Sequence, residues 1–112
     1  MFNQVIIFSD NLIPNSWRLI HKYDLVPHLP ACYEFHYHRS CIPAGNHSPY
    51  HHGIEVWYNE TMKANSTYTI CQGTPFNEDD LCSNKFFTHY NVFDHLVYFE
   101  KDVSLNGEMG CV

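Results

Sequence analysis

The chain has 112 residues, with 6 basic and 12 acidic side chains and a formal net charge of −6. That length allows one small domain with a modest core, and an acidic balance without any basic run argues against a nucleic-acid partner. No apolar stretch approaches the roughly 18 residues of a membrane-spanning helix, and MFNQVIIFSD at the start has no positively charged region, so it does not read as a signal peptide.

Residues 16 to 21, beginning Ser16-Trp17-Arg18-Leu19-Ile20, read as a buried strand. The chain then enters HKYDLVPHLP, residues 21 to 30, where Pro27 and Pro30 fix φ and oppose a helix. Asp24 is therefore expected in a stiff, extended segment at a strand end, a setting in which a carboxylate can orient another group. The alternative is an ordinary turn-capping Asp in a surface loop. Residues 27 to 52 carry four prolines, Gly45 and six histidines, and read as a long ordered loop. Ile54-Glu55-Val56-Trp57-Tyr58 and Thr67-Tyr68-Thr69-Ile70-Cys71 are β-rich runs separated by a polar stretch, which predicts an antiparallel hairpin. Residues 74 to 91 look like loop. Val92 to Phe99 predicts a short helix with Asp94 near its N-terminal end, and the last dozen residues read as a polar tail ending in Cys111. No repeat, low-complexity tract or linker divides the chain.

Five cysteines are dense for a reducing compartment. Cys32 and Cys41 bracket one turn-rich segment and Cys71 and Cys82 another, so two short-loop disulfides are expected, with Cys111 left over. Three N-glycosylation sequons, Asn46-His47-Ser48, Asn59-Glu60-Thr61 and Asn65-Ser66-Thr67, point to secretion as well. An extracellular composition without an export signal implies either unconventional export or the tail of a longer protein.

Two or three strands with large aromatics and little helix to cover them look like the edge of a larger sheet, incomplete as a free-standing domain. A small disulfide-stapled β domain is the alternative. Of the nine histidines, His36 and His38 would share a strand face, but no Cys-x-x-Cys or His-x-x-x-His pair supports a metal site, and neither metal nor cofactor is expected. His95 stands apart, in the apolar frame Val92-Phe93-Asp94-His95-Leu96-Val97-Tyr98-Phe99, where a core histidine is the alternative to a catalytic one.

Three blocks taken together, Asp24-Leu25-Val26-Pro27-His28-Leu29-Pro30, Tyr50-His51-His52-Gly53-Ile54-Glu55-Val56-Trp57-Tyr58 and Asp94-His95-Leu96-Val97-Tyr98-Phe99, resemble the C-terminal third of class 3 (fungal-type) triacylglycerol lipases, and look closest to their secreted nematode branch. The resemblance runs from about Asn11 to the C-terminus, residues 11–112, leaving residues 1–10 unmatched. It implies the C-terminal part of an α/β-hydrolase fold, contributing a strand, a long loop, a β-hairpin and a short helix.

The resemblance also implies roles. Asp24 maps onto the acid and His95 onto the base of a Ser-His-Asp triad, in which the carboxylate fixes the imidazole tautomer and stabilises the imidazolium. The order Asp then His fits a nucleophile placed earlier in the chain. Asp94 is a rival acid, set aside because adjacent side chains on a helical turn do not face one another. Leu25, Val26, Leu29 and Phe93 would line or support an acyl site. None of the seven serines stands in a G-x-S-x-G elbow, so this chain by itself should not hydrolyse esters. In the family a C-terminal cysteine can pair near the mature N-terminus, which is the role implied for Cys111. The reading is thus a fragment or truncated form of a secreted lipase, with a lipid ester as substrate and peripheral contact with a lipid interface. Its rivals are a non-catalytic secreted module on a lipase scaffold and a histidine-rich metal-binding protein.

Overall fold

Strand β1, Trp17–His21, runs parallel to strand β2, Ile54–Tyr58, in a register from Trp17↔Ile54 to His21↔Tyr58. These strands belong to a computed structural model that describes residues 12–29, 51, 53–72, 79–86 and 88–111. A short strand β3, Thr69–Ile70, pairs antiparallel on the other side of β2, giving the order β1-β2-β3. Parallel pairing needs a crossover rather than a hairpin, and β1 and β2 are accordingly far apart in sequence. Strand β4, Val97–Tyr98, and strand β5, Lys101–Asp102, make a separate two-stranded ribbon. Helix α1, Val103–Glu108, closes the described chain, with the Asp102 carboxylate accepting from Leu105 N at 2.8 Å as its N-cap.

Among the described residues the hydrophobic cluster is small. Ile20 of β1, Trp57 of β2 and the Cys71–Cys82 disulfide pack together and are almost wholly buried. Burying one such aliphatic or aromatic side chain is worth about 1.5–3 kcal/mol, so few residues hold the sheet. Trp57 is fixed further by donating Nε1–H to Lys22 O at 2.9 Å, and the Lys85 ammonium lies 5.1 Å from its ring centroid.

Beside this cluster sits a buried polar network. Arg18 and Glu55 face each other across β1 and β2, 3.1 Å apart, and Ser83 donates both its amide (3.1 Å) and its hydroxyl (2.5 Å) to Glu55 Oε1. The Glu55 carboxyl is pushed above its ordinary range by burial, which outweighs the lowering effect of Arg18 and of the Ser83 hydrogen bonds. Glu55, Cys71 and Cys82 cluster closely enough to suggest ligands, but both sulfurs are spent in the disulfide, so the trio is not a metal site.

Backbone conformation explains two joints. Gly53 enters β2 at φ +81°, and a Cβ there would come within 3.1–3.2 Å of Ser16, whose carbonyl accepts from Ile54 N at 3.0 Å. A side chain at this position would be strained and crowded at once. Phe99 and Glu100, at φ 50° and 63°, form the two-residue turn between β4 and β5. Two consecutive left-handed residues match the twist of a tight hairpin but favour Asn-Gly, not Phe-Glu.

Residues 92–99 are not a helix: Phe93–His95 make one 3-10 turn, and the positive-φ reversal at Phe99 and Glu100 turns the rest into ribbon. The last residues are not a plain tail but β5 and α1. Pro27 does not exclude helical backbone; it sits in the first turn of a 3-10 helix, Val26–His28, where its missing N–H costs nothing. The first strand is buried only toward its end, with Trp17 and Leu19 exposed. The hairpin of β2 and β3 forms, shorter than expected, as does the disulfide between Cys71 and Cys82, while Cys111 is a free, exposed thiol. The Cys32–Cys41 expectation, the Asn46 sequon, His36 and His38 lie outside the described residues. Among the described residues no helix is long and apolar enough to cross a membrane.

Candidate active site

Immediately after β1 the chain turns sharply. Lys22 takes a left-handed conformation (φ 45°), its amide donates to Tyr58 O at 2.7 Å, and Asp24 N donates to His21 O at 3.0 Å. The backbone on either side of Asp24 then clasps Asn91: Asn91 N donates to Tyr23 O at 2.9 Å, and Leu25 N donates to Asn91 O at 3.0 Å, as a parallel bridge. Asn91 starts the next turn, because its side-chain oxygen accepts from Asp94 N at 2.9 Å. His95 N closes that turn on Val92 O at 3.1 Å. Asp24 and His95 are therefore positioned by one shared residue, Asn91, clasped by one segment and opening the other.

The side chains meet where the backbones do. Asp24 is fully buried and both carboxylate oxygens are engaged: Oδ1 accepts from Val26 N at 2.8 Å, and Oδ2 lies 2.9 Å from His95 Nδ1 and 2.5 Å from the Tyr98 hydroxyl. A carboxylate only accepts, so the His95 proton sits on Nδ1 and the lone pair on Nε2. The His95 side chain is 39% exposed, against 0% for that of Asp24. A buried acid holding a half-exposed imidazole through Nδ1 is an arrangement that can accept a proton at Nε2.

Tyr98 completes this arrangement and was missed as a site residue in the sequence. Burial, and then the hydrogen bond to Asp24, hold its hydroxyl well above the ordinary tyrosine value, so it stays a donor. The signal in the sequence is chemical: a tyrosine in this apolar run needs a partner for its hydroxyl once buried. Its ring meets that of His95 edge-on, with centroids 6.1 Å apart.

Asp94 is engaged elsewhere, its Oδ2 accepting from Tyr23 N at 3.2 Å and Asn91 Nδ2 at 2.9 Å, so it braces the turn and does not touch the His95 ring through any bond of its own carboxylate. Of the residues expected near an acyl chain, Leu25 is half-buried, whereas Val26, Leu29 and Phe93 are exposed, Phe93 to 80%. Val92, beside Phe93, is exposed too. An open apolar fringe thus flanks the two turns that carry Asp24 and His95.

Two Caenorhabditis elegans proteins are similar to this chain. One is called Lipase ZK262.3, 35% identical over a match that covers 91% of the chain and 33% of that protein. The other is called Uncharacterized protein C40H1.2, 34% identical over 90% of the chain and 43% of that protein. The chain therefore spans about a third to two-fifths of the length of these relatives. No family model matches the chain. No solved structure matches it either. With a relative named as a lipase matched along nearly the whole chain, the likeness is to a lipase-like family.

Proposed function

We propose that this chain supplies the acid and base of a secreted lipid-ester hydrolase of the class 3 type, built on an α/β-hydrolase scaffold whose nucleophile lies in a segment outside these 112 residues. The observation that carries the reading is the buried Asp24 carboxylate bonded to His95 Nδ1 across 71 positions of sequence. The likeness to a protein named as a lipase supports it.

In that reaction His95 Nε2 takes the proton from a serine hydroxyl as its oxygen adds to the ester carbonyl carbon. The resulting imidazolium gives the proton to the departing alkoxide as the tetrahedral intermediate collapses to an acyl-enzyme. A water then repeats the sequence, His95 again receiving and returning the proton, and the fatty acid leaves. Asp24 remains a carboxylate throughout, steadying the charge on His95, with the Tyr98 and Val26 donors fixing its orientation. The exposed fringe of Val26, Leu29, Val92 and Phe93 would meet the acyl chain or the lipid surface.

The test is complementation. Joined to the nucleophile-bearing portion of the lipase-named relative, the chain should confer hydrolysis of a short-chain ester, while the chain alone stays at background. A joined protein that folds and carries the serine yet shows no turnover would overturn the proposal. The absence of a G-x-S-x-G elbow favours a second reading, a non-catalytic module on the same scaffold, and that result would select it.

A further inference from the structure

We infer that His21 is a positioning residue for His95, acting through the peptide bond between Asp94 and His95. The inference rests on the catalytic reading of His95 for its purpose, but not for its geometry.

His21 ends β1 and is 6% exposed. Its Nδ1 lies 3.1 Å from Asp94 O, the carbonyl of the peptide that leads into His95, and its Nε2 lies 3.2 Å from Glu60 O, just beyond β2. Both partners are carbonyl oxygens, which only accept, so a neutral ring donates to one of them, to the His95 turn from Nδ1 or to the loop after β2 from Nε2. The same residue touches the rest of the arrangement. Its own carbonyl accepts from Asp24 N at 3.0 Å, and its ring packs edge-on against Tyr98 with centroids 5.9 Å apart. Asp24, His95 and Tyr98 are thus all held from one residue that does not reach the reacting atoms.

The Asp94 carbonyl is the point where this matters most. The turn carrying His95 is a single 3-10 turn, capped by the Asn91 side chain at the Asp94 amide. A single such turn has little stiffness of its own. The His21 bond at the Asp94 carbonyl limits rotation of the following peptide, and with it the direction in which the His95 side chain leaves the backbone. A merely structural histidine would serve with either bond; a positioning residue needs the one to Asp94.

The two bonds separate by substitution. In His21→Asn the amide nitrogen falls near the place of Nδ1 and keeps the bond to Asp94 O. In His21→Gln it falls near Nε2 and keeps the bond to Glu60 O. The readout is solvent exchange of the His95 Nδ1 proton, followed by NMR on the protein labelled with 15N-histidine. His21→Asn should leave exchange within about twofold of the parent, while His21→Gln should speed it about tenfold or more. In the completed hydrolase the same His21→Gln change should lower kcat about tenfold at unchanged KM. Equal effects of the two substitutions, or the reverse order, would overturn the inference. Differential exchange in a protein without ester turnover would support the positioning and count against the hydrolase reading alone.

Discussion

The Tyr98 hydroxyl donates to Asp24 across 2.5 Å, and it does so at Oδ2, the oxygen that also faces His95 Nδ1. Two donors on one buried oxygen leave Oδ1 to the Val26 amide, so the carboxylate cannot rotate without breaking a bond on each side. Tyr98→Phe removes one donor from a buried charge while keeping the ring. It should cost about 1.5–3 kcal/mol of stability, the range for a hydrogen bond to a charged group. Chemical denaturation of the two proteins measures it, and a difference under about 0.5 kcal/mol would show that the contact does not bear on the fold.

Glu55 gives a pH prediction with a definite sign. Its folded value is raised above the ordinary one, chiefly by burial. Ionising it therefore costs more in the folded chain than in the unfolded chain. The contribution is fully present below the ordinary carboxyl range and is lost as pH rises through the elevated folded value. Glu55→Gln should flatten that segment of the stability curve. It should change stability at acidic pH by no more than about 1 kcal/mol, because burial already favours the uncharged carboxyl there. Denaturant titrations of both proteins across the acidic to neutral range check both effects.

Much of the local plan can be read from the residues, and what cannot has physical causes. Ser16 to His21 and the runs flanking Asn59 to Ser66 alternate or cluster apolar β-formers strongly enough to give β1, β2 and β3. The Cys71–Cys82 spacing brackets turn residues and yields the bridge. Asp24 and His95 are legible only as a resemblance, since nothing local in either segment requires them to meet. Residues 92 to 99 mislead because their apolar spacing fits a helix, while the outcome depends on Phe99 and Glu100 adopting positive φ, which their residue types disfavour. Glu55 carries no local signal of its burial: it is the register with Arg18 and the approach of Ser83 that enclose it.

Backbone strain gives opposite expectations at two joints. Gly53→Ala puts a Cβ against Ser16 at a φ of +81° and should destabilise by about 1–3 kcal/mol. Glu100→Gly relieves a left-handed residue in the β4–β5 turn and should stabilise, by about 0.5–1 kcal/mol, with the Lys101 and Tyr98 pairing kept. Thermal melts of the pair decide it, and the same sign for both would remove strain as the explanation.

Opening the short disulfide loop should be costly, because both sulfurs lie in the buried cluster with Ile20 and Trp57. Cys71 and Cys82 are 11 positions apart, so replacing both by Ala should cost about 2–3 kcal/mol through the unfolded state. Loss of protection at the Ser83 amide, which donates to Glu55 Oε1, should accompany it, because the bridge anchors the segment that carries Ser83. Hydrogen exchange at Ser83 reports this directly.

The most direct measurement is kcat/KM on a short-chain ester for the protein completed with a nucleophile-bearing portion, with His95→Ala and Asp24→Asn made in turn. His95→Ala removes the base and should lower the rate on the order of 10⁴-fold or more, with the fold unchanged by circular dichroism. Asp24→Asn keeps the size of the side chain but not the charge that fixes the tautomer of His95, and should lower it on the order of 10³–10⁴-fold. Turnover within about tenfold of the parent in either variant would contradict the assignment of Asp24 and His95 as acid and base.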